Sequence, residues 1–420
     1  MLQSLPAELS SFSHPESSGA RSHLRGKRVG MITFSSYPND PRPRRALDAL
    51  LNEGMSADMI CLADEEEARR EVLDGVSIFR VPIKHHRGGK LSYAYQYFSF
   101  ILASAAILAV RCMRHRYQLI YVHNMPDILI MGALIPKAFG AKVILDQHDP
   151  MPELMMTIFG LDQHSLSVRI IKALEKWSLA RANLVLTVNI ACKRIFGSRS
   201  CPADKVGVVM NSPDEAIFPL RAPRPRNRAL NKPFVIMYHG SLLERNGVDL
   251  AVDALASLRD TVPPLELRIY GRKTTFLEQV MAQARRKGVG NSVHYLGPKS
   301  LEQLVEEIEQ CDVGIIPNHR NAFTDINTPT RIFEYLAIGK PVIAPSTPGI
   351  LDYFTNDSLL FVEPGNSADI ARQIEHVVRN YEAAIEIAKR GQQIYLQHTW
   401  KREKATLLEL VSRLLAKGKG

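Results

Sequence analysis

The chain has 420 residues, which is too long for one compact core and predicts two domains. A hydrophobic fraction of 45% and a charged fraction of 23% are ordinary for a globular protein. Five scattered cysteines form no Cys-x-x-Cys pair. They argue against a disulfide framework or a zinc site and favour a reducing, cytoplasmic compartment.

The net charge of +10 is unevenly distributed along the chain. Residues 1–230 contain 30 Lys and Arg against 21 Asp and Glu, whereas residues 231–420 contain 23 against 22. A basic first half predicts an anionic partner, either nucleic acid, an anionic membrane surface or a diphosphate-linked acceptor. No nucleic-acid motif with interleaved aromatic residues is present, so a membrane or lipid phosphate is favoured.

The composition predicts five segments. Residues 1–26 are rich in Ser, Pro and Gly and predict a disordered lead-in without the apolar core of a signal peptide. Residues 221–232 are rich in Pro and Arg and predict a linker between the domains at 27–220 and 233–395. Residues 396–420 predict a final amphipathic helix.

The first domain begins with a pattern typical of a doubly wound fold. A buried strand at Arg28–Phe34 is followed by a polar loop, Ser35–Arg45, that enters an amphipathic helix. Arg42, Arg44 and Arg45 in this loop either contact an acceptor phosphate or are solvated. The absence of a G-x-G-x-x-G pattern argues against a dinucleotide dehydrogenase.

Twenty residues without a charge, Leu91–Val110, follow the basic segment Lys84–Lys90. The length is sufficient to cross a bilayer. A strand at Leu119–His123 is expected in the same sheet as Val76–Val81, however, which favours a largely buried crossover helix. A third interpretation places this helix, with its basic flanks, against an anionic membrane surface.

Polar residues follow two strands of the first domain. His123 and Asn124 come after the first strand, and Asp146–Glu153 (DQHDPMPE) follows the strand that begins at Lys142. Such positions at the carboxyl ends of strands hold reacting groups in open α/β sheets. Asp-x-His-Asp also fits a pair of metal ligands, but no further side chain has the spacing to complete a metal site.

The second domain begins with a predicted anion-binding loop. The strand Phe234–His239 leads into Gly240 and Ser241, which offer backbone N–H groups, and into a helix that begins near Gly247. A later strand, Leu265–Tyr270, ends in Gly271 and Arg272. Further strands are predicted at Asn291–Gly297 and Cys311–Pro317, and helices over Ile374–Leu415.

The stretch Asn321–Ala344 carries the strongest pattern. Thr328 is expected to cap a short helix whose first residue is Pro329 and whose stop is Gly339, followed by a strand. Arg331 at the helix N-terminus fits an anion, and a carboxylate at Glu334 can accept hydrogen bonds from vicinal sugar hydroxyls. These residues suit a sugar diphosphate; an ordinary αβ unit with a solvated Glu334 is the alternative.

The segment TPTRIFEYLAIGKPVIA resembles the donor-binding signature of retaining GT-B glycosyltransferases of family 4. In that family two glutamates separated by seven residues precede a small residue and Gly-x-Pro-Val. Glu334 matches the second glutamate, which binds the ribose of the nucleotide. The first falls at Ile326, which cannot bind sugar hydroxyls, and Asp325, one residue earlier, is the expected substitute.

Two further segments share this resemblance. The DQHD cluster is similar to the family's D-x-H-E segment, with Asp149 replacing Glu, and places His148 in the active site. The family has a basic residue directly before the glycine at 247, to hold the donor diphosphate. Asn246 occupies that position here, and we therefore assign the phosphate contact to Arg245.

The resemblance implies an α/β fold of the GT-B type. Two Rossmann-like, doubly wound parallel-sheet domains face a central cleft, and the C-terminal helix crosses back to the first domain. The expected catalytic residues are His148, Asp149 and Asp325. The expected donor-binding residues are Gly240, Ser241, Arg245, Asn246, Gly271, Arg272, Pro298, Phe323, Thr324, Asn327, Thr328, Arg331 and Glu334. The expected acceptor-binding residues are Arg42, Arg44, Arg45, His123 and Asn124.

The resemblance also implies a function. A sugar would move from a nucleoside-diphosphate sugar to a hydroxyl acceptor with retention, without metal or cofactor, on a lipid-linked or polysaccharide-precursor glycan. The expected location is cytoplasmic, peripheral to the inner face of the membrane, with no nucleic-acid partner. A nucleotide-sugar epimerase and a non-catalytic binding protein, suggested by Ile326 and Asn246, are the alternatives.

Overall fold

The protein is described by a computed structural model that covers residues 23–64, 67–83, 90–225 and 232–416, except for the side chains of residues 90–94. Most of the predicted lead-in lies outside these residues. The same holds for the basic segment before residue 90 and for half of the predicted linker at 221–232.

The first sheet has eight strands in the order β3-β4-β2-β1-β5-β6-β7-β8. The β1–β2, β1–β5, β2–β4 and β7–β8 pairs are parallel, as a doubly wound fold requires. The strands are β1 (Arg28–Ser36), β2 (Ser56–Leu62), β3 (Arg70–Leu73), β4 (Val76–Val81), β5 (Leu119–His123), β6 (Lys142–Gln147), β7 (Leu184–Thr187) and β8 (Val206–Val208). The helices among them are α1 (Pro41–Asn52), α2 (Lys90–Cys112), α3 (Leu134–Ala138), α4 (Met151–Phe159), α5 (Leu166–Arg181) and α6 (Ile190–Arg199).

Strand β3 was not expected from the sequence. It pairs antiparallel with β4 through a two-residue turn at Asp74 and Gly75, both of which have positive φ. An Asp-Gly pair between two apolar runs is a strong signal for such a hairpin, so the sequence did contain it. The strand has only four residues and ends the sheet on that side.

The loop predicted at Ser35–Arg45 is wrong in its second half. Helix α1 already begins at Pro41, with Asp40 as N-cap accepting from the Arg42 N–H. Proline at the first helical position is compatible with a helix because its missing N–H would have no partner there. Arg42, Arg44 and Arg45 therefore belong to the helix and not to a loop.

The prediction that the apolar helix at 91–110 is largely buried is also wrong. By length and composition Tyr95–Cys112 could cross a membrane, yet only 28% of this window is buried in the protein. Helix α2 connects β4 to β5, which belong to one sheet, so it is a crossover helix. One face packs on the sheet and the opposite face is exposed.

The second sheet has six strands in the order β11-β10-β9-β12-β13-β14, and all its pairs are parallel. The order reverses at β9, so the carboxyl end of β9 is a switch point where ligands bind in this class of sheet. The strands are β9 (Phe234–His239), β10 (Leu265–Tyr270), β11 (Val293–Tyr295), β12 (Val313–Ile315), β13 (Val342–Pro345) and β14 (Leu360–Val362). The helices are α7 (Val248–Leu258), α8 (Thr275–Arg286), α9 (Leu301–Gln310), α10 (Thr330–Ala337), α11 (Pro348–Leu351), α12 (Ser367–Arg379), α13 (Tyr381–Tyr395) and α14 (Trp400–Ala416).

Helices cover both faces of this sheet. Phe234, Ile236 and Tyr238 of β9 belong to one hydrophobic cluster, and the alternate residues Val235 and Met237 belong to another. Side chains of a strand alternate between faces, so continuous apolar strands indicate burial on both sides. The two Rossmann-like parallel-sheet domains predicted from the sequence are confirmed.

Helix α10 packs unusually close to the second sheet. Tyr335 lies against Gly314 of β12, where a Cβ atom would come within 2.4 Å of the ring. The Tyr335 hydroxyl donates to the Met237 carbonyl at 2.7 Å. Only glycine leaves room for this contact, which fixes α10 at the switch point.

The predicted start of α10 requires correction. The helix begins at Thr330, with Pro329 at the N-cap position and no side chain capping it. The Thr328 hydroxyl donates instead to the Gly349 carbonyl at 2.6 Å. Ile332, Phe333 and the following stripe residues are buried as expected.

The chain forms two compact units that differ from the predicted domains. The first comprises residues 1–123, 129–144 and 406–420, and the second residues 124–128 and 145–405. Each candidate residue is described below within its own unit.

Candidate active site

The loop that carries His148 is held by the side-chain amide of Asn124. The Asn124 Oδ1 atom accepts from the His148 backbone N–H at 2.9 Å. Its Nδ2 atom donates to the Asp149 carbonyl at 3.0 Å, to Gln147 Oε1 at 2.5 Å and to Asp127 Oδ1 at 3.1 Å. One amide thereby fixes three consecutive residues after β6, so Asn124, predicted to bind the acceptor, positions the loop.

Asp127 is an unusual carboxyl group beneath this loop. It is fully buried, and burial raises its pKa to about 7. The charge of Glu175 raises the pKa further, whereas the hydrogen bond from Asn124 lowers it. At neutral pH Asp127 is therefore divided between its two protonation states.

A buried ion network supports the helices that follow. Arg199 at the end of α6 donates to both oxygens of Glu153 on α4, at 2.6 and 2.9 Å, and to Glu175 on α5 at 2.6 and 2.9 Å. The Ser200 hydroxyl donates to Glu175 as well. Two buried carboxylates thus share one guanidinium, which ties three helices together directly behind the His148 loop.

His148 and Asp149 face other charged groups. The His148 Nε2 atom lies 3.6 Å from Asp146 Oδ2, and both side chains are nearly buried. Asp149 interacts electrostatically with Arg245, whose half-buried position lowers the pKa of its guanidinium. Arg245 also lies over the Phe323 ring, with Cζ 5.7 Å from its centroid. The structure therefore brings Asp149, Arg245 and Phe323 together, as the sequence predicts.

The segment after β9 forms a cradle of backbone around the switch point. Gly247 ends a short 3-10 helix with φ of 67° and directly precedes α7. A Cβ atom there would lie 2.0 Å from the Pro317 carbonyl oxygen, so only glycine permits this approach. The Asn246 side chain donates to the Ser241 carbonyl at 2.6 Å and closes the loop on itself.

Arg331 and Glu334 lie at the carboxyl end of β9. Arg331 Nη1 donates to the His239 carbonyl at 2.8 Å, beside Gly240, and its guanidinium stacks over Tyr238 at 4.7 Å. Glu334 Oε2 lies 3.4 Å from His239 Nε2. Burial and the charge of Arg331 lower the pKa of His239 well below its usual value, so the imidazole is neutral.

The loop before α10 is held by its own polar side chains. Asn321 Oδ1 accepts from the backbone N–H groups of Phe323 and Thr324, at 3.1 and 2.9 Å, and from the Thr157 hydroxyl of α4 at 3.0 Å. Thr324 is buried and donates to the His319 carbonyl. Asp325 is partly exposed, with Oδ2 3.6 Å from Arg320 Nε.

Asn189 fixes the end of this loop and was not singled out in the sequence. It caps α6 through the Cys192 N–H at 2.8 Å. Its Nδ2 atom donates to the Ile326 carbonyl at 2.8 Å and to the Thr328 hydroxyl at 3.1 Å. Asn327 completes the loop, its carbonyl facing Gly349. A strand followed by Asn and a helix signals an N-cap, but not a contact 137 residues away.

Three predicted donor-binding residues occupy the neighbouring strand ends. Gly271 follows β10 and packs against the Gly240 carbonyl, and its carbonyl accepts from the Tyr295 hydroxyl at 2.9 Å. Arg272 and Pro298 are exposed on the same rim. No contact between these two and Arg245, Arg331 or Glu334 is recorded among the described residues.

The predicted acceptor residues of the first unit have local partners. Arg42 pairs with Asp40 at 3.5 Å, and Arg44 with Asp48 at 3.8 Å, whereas Arg45 is partly buried in α1. His123 is buried and stacks on Tyr121, and burial lowers its pKa to about 3. The charges of Asp40 and Arg42 act on this imidazole, which places the start of α1 beside His123.

Comparison with known proteins places the chain in a family. Residues 222–394 match the family model "Glycosyl transferases group 1", and residues 41–212 match "Glycosyl transferase 4-like domain". Glycogen synthase of Mycobacterium tuberculosis is 25% identical over 230 residues, which cover 54% of this chain and 52% of that protein. The chain thus spans about half the length of the curated relatives it matches.

Solved structures show the same fold over nearly the whole chain. Sucrose-phosphate synthase of Thermosynechococcus elongatus has a TM-score of 0.75 at 17% identity, covering 93% of this chain and 100% of that one. Anabaena HepE in complex with UDP-glucose has a TM-score of 0.66 at 18% identity, covering 92% and 99%. The two family models together span both Rossmann-like domains, and the chain belongs to the GT-B glycosyltransferases of group 1.

Proposed function

We propose that the protein transfers a sugar from a nucleoside-diphosphate sugar to a hydroxyl group of an acceptor, with retention of anomeric configuration. The observation that carries this proposal is the cluster at the carboxyl end of β9. There, Arg331 and Glu334 lie beside Gly240, and Arg245 follows on the same loop. Cationic side chains, glycine backbone and a carboxylate are what a nucleoside diphosphate requires.

The arginines bind and stabilise the diphosphate. Arg331 uses one N–H group to hold the His239 carbonyl, and its planar guanidinium has further N–H groups for phosphate oxygens. Arg245 is half-buried, so its charge is less screened by solvent. Both charges are in place before the reaction, which stabilises the negative charge that develops on the leaving group. We propose that they act in place of a metal ion.

Glu334 binds the ribose. Its carboxylate sits next to the neutral His239, which carries no charge to compete for it. Two adjacent hydroxyl groups of a ribose can each donate to one carboxylate oxygen. The complex of HepE with UDP-glucose makes uridine diphosphate the first nucleotide to test.

The reaction exchanges two bonds at the anomeric carbon. The bond to the leaving phosphate oxygen breaks, and a bond to the acceptor hydroxyl oxygen forms on the same face. The acceptor proton passes to the departing phosphate oxygen, so no protein nucleophile is required. His148 and Asp149 line the sugar and acceptor positions, and Asp325 is proposed to bind sugar hydroxyls where Ile326 cannot.

We propose a lipid-linked or polysaccharide-precursor glycan as acceptor, at the cytoplasmic face of the cell membrane. The excess of basic residues in the first half of the chain supports an anionic acceptor. His123, the start of α1 and Asn124 are proposed to contact it.

The test is release of nucleoside diphosphate from UDP-, GDP- and ADP-sugars, with and without a membrane extract that contains lipid-linked acceptors. We expect one donor to be consumed, with release rising when acceptor is added, and with loss of turnover in Glu334→Ala. Arg372→Gln is the control, since Arg372 pairs with Asp369 on the surface of α12. Donor isomerisation without nucleotide release would indicate an epimerase, and binding without turnover would indicate a binding protein.

A further inference from the structure

The exposed face of α2 is entirely apolar. Over residues 95–110 the exposed side chains are Tyr95, Phe98, Leu102, Ala106 and Val110, separated by three or four residues. Such spacing places them in one stripe along the helix. Tyr95, Phe98 and Leu102 are 72, 58 and 54% exposed, so these large side chains are bare and not merely at an edge.

The segment that packs against α2 adds further apolar surface. Residues 127–138 form a 3-10 helix and α3, and α3 contacts α2. Met131, Ile135 and Phe139 in this region are 40, 38 and 71% exposed. Monomeric globular proteins rarely leave a contiguous apolar surface of this extent uncovered. We call the α2 stripe together with these three residues the apolar face.

The charge around the apolar face is of one sign. Residues 75–145 contain nine Lys and Arg and a single acidic residue, the fully buried Asp127. Arg114 and Arg116 are exposed directly after α2, and Lys137 lies within α3. No acidic side chain interrupts this surface in the sequence, and the positive charge is therefore unscreened by internal partners along these segments.

We propose that the apolar face docks on an anionic membrane surface, with α2 lying in the plane of the interface. The inference rests on the proposed function, since it names the surface that brings the enzyme to a membrane-borne acceptor. An interfacial helix combines an apolar face, aromatic residues and basic flanks, all of which are present. The stripe from Tyr95 to Val110 is about 23 Å long at 1.5 Å per residue.

The structure argues against two other occupants. A bilayer-spanning helix would separate β4 from β5, whereas these strands share one sheet. A second copy of the chain would bring two positively charged surfaces together, with no acidic residues between 75 and 126 to offset them. Anionic lipid satisfies both the apolar stripe and the basic residues around it.

The test is co-sedimentation of the full chain with vesicles of phosphatidylcholine alone and with about 30% phosphatidylglycerol, which gives a negative surface potential. We compare wild type with Phe98→Glu/Leu102→Glu. Leu220→Glu/Leu301→Glu is the matched control, because those leucines are 49 and 44% exposed outside the apolar face. Thermal unfolding of each variant verifies that it is folded.

We expect wild type to bind the anionic vesicles, the Phe98/Leu102 variant to bind at least about tenfold less, and the control to bind like wild type. Wild type that remains unbound, binds both vesicles equally, or binds no better than the variant would overturn the proposal. So would a wild-type dimer that the Phe98/Leu102 variant dissociates, because a second copy would then cover the face. Stabilisation by nucleotide, measured in parallel, separates failure of docking from failure of the proposed function.

Discussion

Two strand-end loops in the second unit carry the candidate site, and they are built differently. The loop after β6 presents His148 on a framework of neutral amide contacts from Asn124, above a buried ion network. The loop after β9 relies on close backbone packing at Gly247 and on guanidinium groups that remain half-exposed. Neutral amides position without adding charge, whereas guanidinium groups supply it. One loop is therefore suited to orienting a sugar and the other to binding its diphosphate.

The largest effect is expected where the first loop depends on buried charge. Arg199→Met leaves Glu153 and Glu175 buried without their cation and should lower the free energy of unfolding by about 3–5 kcal/mol. Arg413→Met, which breaks an exposed pair with Glu409, should change it by less than about 1 kcal/mol. Denaturant unfolding of the two variants measures the difference. Equal small losses would show that the network does not support the loop.

Asp127 makes the stability of the same region dependent on pH. Its folded pKa of about 7 lies above the ordinary 3.8, so the folded state retains a proton that the unfolded state loses. The stabilisation is complete below about pH 4 and is lost as pH rises through 7, by at most about 4 kcal/mol. Asp127→Asn should therefore gain stability relative to wild type over this range.

The control for this prediction is Asp260→Asn, whose side chain is 80% exposed. Unfolding free energies from pH 4 to 8 should show a pH-dependent gain for Asp127→Asn and none for the control. A constant difference between Asp127→Asn and wild type would mean that the buried carboxyl is ionised throughout.

The second loop should respond in catalysis and not in stability. Arg245→Gln removes one charge from the proposed diphosphate site and should lower kcat/KM by about 10²–10³-fold, the usual cost of one donor to a developing anion. Arg372→Gln should leave kcat/KM within about threefold, since its ion pair is exposed. Steady-state nucleotide release measures both. A loss below tenfold for Arg245→Gln would place the diphosphate elsewhere.

The smallest effect tests the connection between the two loops. Asn189→Ala removes a helix cap and the contacts to Ile326 and Thr328, whereas Asn366→Ala removes only a cap, on α12. Each should cost about 1 kcal/mol of stability. Only Asn189→Ala should weaken nucleotide affinity, by about tenfold, as measured by titration calorimetry. Equal affinity in both variants would show that the Asn189 contacts are purely structural.

The sequence predicted the second loop better than the first because its signals are local. The apolar stripe around Ile332, the Gly-rich turn after β9 and the basic residue at Arg245 lie within short segments, and family resemblance supplied their roles. Asn124 and Asn189 act on residues 24 and 137 positions away, a distance that no local pattern encodes. Their roles required the folded structure.

Two errors have different origins. The start of α1 was missed because the prolines at 41 and 43 were interpreted as loop, although Asp40 before Pro41 is an ordinary start signal. The exposure of α2 could not have been predicted, since hydrophobicity alone does not tell whether an apolar face is covered by protein. That exposed face is what led to the membrane proposal.

The most direct test of the central claim is nucleotide binding at Glu334. Thermal unfolding of wild type and Glu334→Ala is measured with UDP, GDP and ADP. At one hundred times its dissociation constant, a ligand adds about 2.7 kcal/mol to the free energy of unfolding. We predict that one nucleotide stabilises wild type and that Glu334→Ala loses this response while its own unfolding is unchanged. Stabilisation of neither protein, or of both equally, would contradict the assignment of the donor site.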